Sequence, residues 1–313
     1  MRKWFITWLL VGMAGTVSAE IVSEGAESIR FRQPDGVVVD VRRKPERTVI
    51  GIGSLVELWY LAGGTAVGIP GVRSEETLPE AARKLPKIGG TFVTNPELVM
   101  SLRPDLLLYP FRHGRCRSLA EQMRNTGVPT LGVDYDNYTD FAGLLDFFCR
   151  LNGSTIEQNP EAARITREVD AICRSVKHYP APRVAIVFAA TAGFKLEGEK
   201  SNTGTIAKML GAKNIAVVEE GRRITFSYER LLMENPDVIC IVTMGEVNSL
   251  REKFRREIMS QAAWRELRAA KSGRVHFLPS NLYLYLPGRR FPEAFRHMAK
   301  LLYPEWREEE AER

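Results

Sequence analysis

NPELVMSLRPDLLL, residues 95–108, and SYERLLMENPDVIC, residues 227–240, follow one pattern. In each, a Glu near the start of a short helix (Glu97 or Glu229) is followed seven residues later by Pro-Asp and an apolar strand. The copies lie 132 positions apart, so the chain reads as two equivalent lobes. Acidic residues suit helix N-termini, where free N–H groups and the helix dipole favour negative charge, and this gives each Glu a local account. The shared offset adds a second account. Equivalent lobes present a matched pair of exposed carboxylates, suited to docking arginines of a two-fold symmetric partner.

Strand and helix signals alternate around both copies. In the first half, residues 28–41 read as a hairpin turning at Pro34-Asp35-Gly36. Strands are predicted at 47–53, 66–69, 105–109 and 128–133. Helices are predicted from Ser54, with Glu57 completing a capping box, and at 118–124 and 139–151. In the second half the strands fall at 183–189, 237–243 and 275–278, and the helices at 203–210, 251–270 and 292–302. Apolar strands without polar alternation imply mostly parallel sheets covered on both faces. Between the halves, 160–179 carries a helical stripe of Ala163, Val169, Ile172, Cys173 and Val176, ended by Pro180 and Pro182. The expected class is α/β, with two doubly wound lobes joined by a long helix. The expected divisions are 1–19, 20–158, 159–180 and 181–313.

Composition agrees with two soluble domains: 313 residues at about 150 per domain, 44% apolar and 26% charged. The net charge of +6 is spread along the chain and does not point to nucleic acid. Cys116, Cys149, Cys173 and Cys240 form neither a disulfide framework nor a Cys-x-x-Cys zinc or redox site, and whether any pair forms a disulfide stays open. Met1 to Ala19 has Arg2-Lys3, then an apolar stretch, then Val17-Ser18-Ala19, the pattern of a secretory signal peptide. No Cys follows the cleavage point to take a lipid, and no apolar run of about 18 residues recurs. The expected product is an exported, soluble monomer.

Several segments in fixed order carry a resemblance. They are RTVI at 47–50, GSLVEL at 53–58 and AGG at 62–64; LPKIGG at 85–90, NPE at 95–97 and LRPDL at 102–106. LGAKNIA at 210–216, Glu229 with NPD at 235–237, RVHFLP at 274–279 and AKLLYP at 299–304 complete the series. Behind a signal peptide, this resembles the substrate-binding proteins of ABC importers, in the class that carries iron–siderophore, haem or cobalamin in the periplasm. The resemblance implies Rossmann-like lobes, a rigid inter-lobe helix and a cleft between lobes that closes only slightly over cargo. It implies docking of Glu97 and Glu229 to arginines of a permease dimer served by ATPase subunits. No catalytic residue, resident metal or cofactor is implied. Haem binders of the class commonly carry a Tyr ligand before the Leu-Pro-x-x-Gly segment; residues 71–90 contain none. An iron–siderophore-like chelate is the expected cargo, with molybdate or tungstate, haem and cobalamin as alternatives.

Ligands of doubly wound lobes sit beyond the carboxyl ends of strands. That rule selects Ser54, then Arg112, His113 and Arg115, then Lys195, and finally Asn281, Tyr283, Tyr285, Arg289 and Arg290. Arginine offers a rigid donor fork to carboxylate or catecholate oxygens; the alternative for Arg112 and Arg115 is plain surface charge. His113 is read as exposed or bonded to cargo, with metal ligation the other option. Tyr283 and Tyr285 share a face if extended, where they would suit an organic chelate; otherwise they are packed strand residues. One of Arg289 and Arg290 is expected to face the cleft. Enzyme signatures are absent: there is no Gly-x-Ser-x-Gly, P-loop or His-Glu-x-x-His, and Gly51-Ile52-Gly53 lacks a third Gly. Asp134 and Asp136 read as a strand end and a turn instead of an acid–base pair. A periplasmic enzyme acting on a chelate is the different-class alternative, and turnover would separate the two.

Overall fold

The computed structural model describes residues 20–72, 75, 78–90 and 93–312, so the signal-peptide reading lies outside the described residues. The first half (the N-lobe) opens with an antiparallel sheet of β1 (Glu20–Glu24), β2 (Ser28–Arg32) and β3 (Val38–Arg42). The predicted hairpin supplies β2 and β3, and β1 extends it. Next come β4 (Thr48–Ile50), α1 (Gly53–Leu61), β5 (Ala66–Gly68), α2 (Glu80–Arg83), β6 (Gly89–Gly90), β7 (Val93–Thr94) and α3 (Pro96–Ser101). β8 (Leu106–Pro110), α4 (Gly114–Asn125), β9 (Thr130–Val133) and α5 (Tyr138–Leu151) follow. A parallel sheet runs in the order β5, β4, β8, β9. Every residue of β4, β8 and β9 is buried, as strands covered on both faces require.

The connecting helix α6 (Pro160–Ser175) is capped by Asn159 and ends at Ser175; residues 176–179 continue as turns. The second half (the C-lobe) contains β10 (Arg183–Ala190), β11 (Gly193–Glu197), α7 (Asn202–Met209), β12 (Lys213–Asn214), β13 (Arg223–Thr225), α8 (Tyr228–Glu234) and β14 (Val238–Met244). It continues through α9 (Val247–Phe254), a π-helical turn (Arg255–Met259), α10 (Ala262–Glu266), α11 (Arg268–Lys271) and β15 (Val275–Phe277). It closes with α12 (Ser280–Tyr283), a 3₁₀ turn (Gly288–Arg290), α13 (Phe291–Leu302) and α14 (Glu309–Glu312). The sheet order is β13, β11, β10, β14, β15, with β12 also on β10. The sheet is mostly parallel, as expected, through β10, β12, β14 and β15, with two antiparallel-paired strands added on one side. There β11 is antiparallel to β10, and β13 to β11. Only Thr191 and Ala192 separate β10 from β11, too few for the crossover that a parallel pair needs.

The sequence repeat is a structural one. Asn95 and Ser227 cap α3 and α8, each accepting from the N–H three residues on, at 3.1 and 3.2 Å. Arg103 and Asn235, at equivalent positions, both take positive φ, 45° and 40°. The aspartates that follow tie down the central strands. Asp105 accepts from Glu46 N and Arg47 N at 2.7 and 2.9 Å, and Asp237 from Arg183 N at 2.8 Å. Each Pro-Asp thus secures the start of its lobe's own sheet.

Alternate strand residues feed different cores, as the period of two demands. Val49, Leu107 and Tyr109 face an N-lobe core, and Ala185, Val187, Ile239 and Ile241 a C-lobe core. Their neighbours Ile50, Leu106, Leu108, Val184, Ile186 and Val242 join one continuous core shared by both lobes. Its centre is aromatic. Tyr138 and Phe141 of α5 meet Phe291 of α13 at 5.1 and 4.8 Å, and Tyr138 meets Phe295 at 5.0 Å. Such packing holds the lobes as one body on the side away from the cleft.

Candidate functional site

The carboxyl ends of β4, β8 and β9 face the C-lobe across a cleft. Two adjoining hollows of about 320 Å³ each make it up, and they share Ser54, Asp136 and Arg222. The N-lobe wall contains Ile52, Arg112, His113 and Asp134. The C-lobe wall contains Glu197, Asn202, Arg223 and the segment Tyr283–Leu286. Asn202 begins α7 and is fixed by donating to the carbonyls of Leu282 and Tyr283 at 3.3 and 3.2 Å.

Charge in this cleft is paired. Arg112 Nε lies 3.1 Å from Asp134, while its Nη2 donates to Asp136. Burial opposes the Arg112 charge, but the hydrogen bonds and negative charge of Asp136 and Asp134 outweigh it and raise its pKa. Arg222 reaches over from the C-lobe and donates to Asp136 at 2.9 Å. Arg223 donates to the buried Glu197 at 2.8 Å and stacks 3.6 Å above the Phe188 ring. Beneath the cleft, burial pushes the Asp140 carboxyl up, and it accepts from Asp136 N at 3.0 Å. Three arginines therefore meet three carboxylates. The expected surplus of positive charge is absent among the described lining residues, because carboxylates already occupy the arginine forks.

The sequence-derived candidates divide. Ser54, Arg112 and His113 line the cleft, as does Tyr285, which is 58% exposed. The capping box read at Ser54 and Glu57 does not form: Ile52 holds the cap position of α1 without a side-chain bond. Arg115 is exposed in the first turn of α4, which starts four residues before the predicted helix, and Asn281 is exposed in α12; neither lines the two hollows. Lys195 lies elsewhere, in a C-lobe surface hollow with Glu229 and Met233.

Tyr283 and Tyr285 do not share a face. The segment is a helical turn, and successive residues rotate by about 100° instead of alternating. Tyr283 is 2% exposed, and its hydroxyl donates to Ala294 O at 2.8 Å and meets His297 Nδ1 at 2.8 Å. Arg289 pairs with Glu57 of α1 at 3.0 Å and Glu161 of α6 at 3.4 Å, and Arg290 with Glu293 at 2.7 Å. Neither arginine lines the two hollows; Arg289 is instead a strut between lobes.

Asp134, Asp136, Glu197, Arg222 and Arg223 are the site residues that sequence reasoning missed. Asp134 was within reach of the rule already used, since it follows β9 directly. Arg222 and Arg223 follow Glu219-Glu220-Gly221 in a loop whose destination only the β11–β13 pairing sets.

Residues 49–282 match the model of a family described as periplasmic binding protein. Among curated relatives is the high-affinity heme uptake system protein IsdE of Staphylococcus aureus strain Newman. It is 23% identical over 212 residues, covering 66% of this chain and 70% of that one. Among solved structures, a periplasmic binding protein from Veillonella parvula matches with TM-score 0.69 at 19% identity, over 93% of this chain and 95% of that one. The catecholate-siderophore binding protein VctP of Vibrio cholerae matches with TM-score 0.63 at 19% identity, over 89% and 100%.

Proposed function

The chain belongs to the periplasmic binding protein family, and from that premise we propose that it is the cargo-binding component of an ABC importer for iron held in an acidic organic chelate. A ferric siderophore is the first candidate. The observation that carries this reading is the meeting of Arg112 from one lobe and Arg222 from the other inside the cleft. Guanidinium forks on facing walls suit a ligand that presents carboxylate or catecholate oxygens on more than one side. The chain is read as exported through residues 1–19, acting as a monomer and handing cargo to a permease through Glu97 and Glu229, without turnover. Calorimetry against a ferric tricatecholate, a ferric trihydroxamate, haem, cobalamin and molybdate tests the cargo. Tight binding of the tricatecholate is expected. Binding of molybdate with no chelate binding would overturn the reading.

Haem is the second reading, favoured by a separate observation. His113 and Tyr285 stand exposed on opposite walls of the cleft, both side-chain types able to ligate haem iron. The family relative described as a heme uptake protein supports it as well. A haem titration followed in the visible spectrum, repeated on Tyr285→Phe and His113→Ala, separates the two readings. A ligation spectrum lost in either variant favours haem.

A further inference from the structure

Asp136 is held from both lobes at once. One carboxylate oxygen accepts from Arg222 of the C-lobe at 2.9 Å, and the other from Arg112 of the N-lobe. The N-lobe side of this arrangement is fixed. Asp136 N donates to Asp140 at 3.0 Å, and Arg112 N to Asp134 at 3.0 Å. Arg222 is the reaching partner, on the loop before β13. The side chain of Asp136 is 24% exposed, so its contacts are only partly screened by water. Away from the cleft the lobes already share an aromatic core, and this three-residue bridge adds a charged contact across the cleft itself.

We propose that Asp136 stands in for the acidic group of the cargo, clasping the empty cleft until the cargo exchanges its own oxygens for the Asp136 carboxylate at Arg112 and Arg222. This rests on the acidic-chelate reading and narrows it. A chelate that brings two acidic oxygens, one toward each arginine, replaces the pairs it breaks. A neutral chelate must leave the clasp closed or leave Arg222 without its carboxylate and Arg112 with Asp134 alone, losing charge-assisted hydrogen bonds that it does not replace. Selection thus comes from what a wrong cargo leaves unpaired more than from extra attraction to the right one.

Two measurements test it on the purified protein. In the empty state, hydrogen exchange is compared between the wild type, Asp136→Asn and Arg222→Gln. Faster exchange at residues 134–137 and 219–225 in both variants is expected, with the sheets unchanged. Unaltered protection in both loops overturns the clasp. In the second measurement, calorimetry with a ferric tricatecholate should show Asp136→Asn binding about tenfold tighter, the scale of one charge-assisted hydrogen bond. That gain should vanish when Arg222→Gln is added. Equal or weaker binding by Asp136→Asn overturns the exchange. If no chelate binds any form, the acidic-chelate reading falls with the exchange, while the hydrogen-exchange result still decides the clasp by itself.

Discussion

Glu57 and Arg289 stand 232 positions apart, and their pairing shows what a single residue in this chain can and cannot reveal from sequence. Gly288-Arg289-Arg290 reads correctly as a turn before the last helix, yet nothing local says that Arg289 reaches α1. Gly288 has φ +55°, a conformation that favours glycine, and a Cβ there would sit 2.0 Å from Glu57 Oε2 and push the carboxylate away from Arg289. Burial raises the pKa of Glu57, pairing with Arg289 opposes the rise, and nearby Glu161 adds to it. The consequence for stability has a definite sign. A carboxyl whose pKa is raised by folding favours the folded state below the ordinary carboxylate value, and that contribution is lost as pH rises through the raised value. Glu57→Gln keeps the shape without the titration. Urea unfolding from about pH 4 to 7 should therefore show the wild type losing stability relative to Glu57→Gln as pH rises. A wild type that gains on the variant over that range would mean the Arg289 pairing outweighs burial.

Elements were legible where burial and local chemistry agree. Apolar runs such as DLLLY and RVAIVFA became strands near their predicted limits, because strands buried on both faces admit little else. Elements whose form depends on a distant partner were not legible. β11 and β13 are defined by pairing with each other and β10, and residues 251–270 break into separate turns around the π-helical segment. Those failures carry over to the site, since Glu197, Arg222 and Arg223 stand on or beside β11 and β13. Helix α6 shows how an end can be tied in two directions. Asn159 accepts from Ala162 N at 3.1 Å as its cap and donates to Leu61 O, the last residue of α1, at 2.7 Å. Asn159→Ala removes both bonds and should cost about 2 kcal/mol in urea unfolding. Asn159→Asp keeps the cap but loses the donor, so its cost should be intermediate. An Asn159→Asp variant as stable as the wild type would show that the tie to α1 contributes nothing, and equal losses in the two variants would show the same of the cap.

Across the whole molecule, the repeat, the shared core and the charged cleft assign different work to different faces. The core and the Arg289 strut limit how far the lobes can separate, so a large closing motion is poorly placed to signal that cargo is bound. A fixed pair of surface points suits recognition by a two-fold symmetric partner better. Glu97 and Glu229 are exposed in the first turns of α3 and α8, whose caps and following Pro-Asp anchors are equivalent. Each is followed three residues later by an exposed apolar side chain, Met100 at 37% and Leu232 at 43%. The helix dipole explains why an acid is tolerated at each position, but not why both turns carry the same acid and apolar pair outward. Glu97→Arg combined with Glu229→Arg should abolish uptake in a transport assay, because like charges then meet at both contacts. Cargo affinity of the soluble protein should stay within about twofold of wild type, since neither Glu lines the hollows that hold Asp136. Each single variant should leave partial transport, with one contact intact. A parallel loss of cargo binding in the double variant would instead place these residues in support of the lobes, and the outward-facing pair would no longer account for transport.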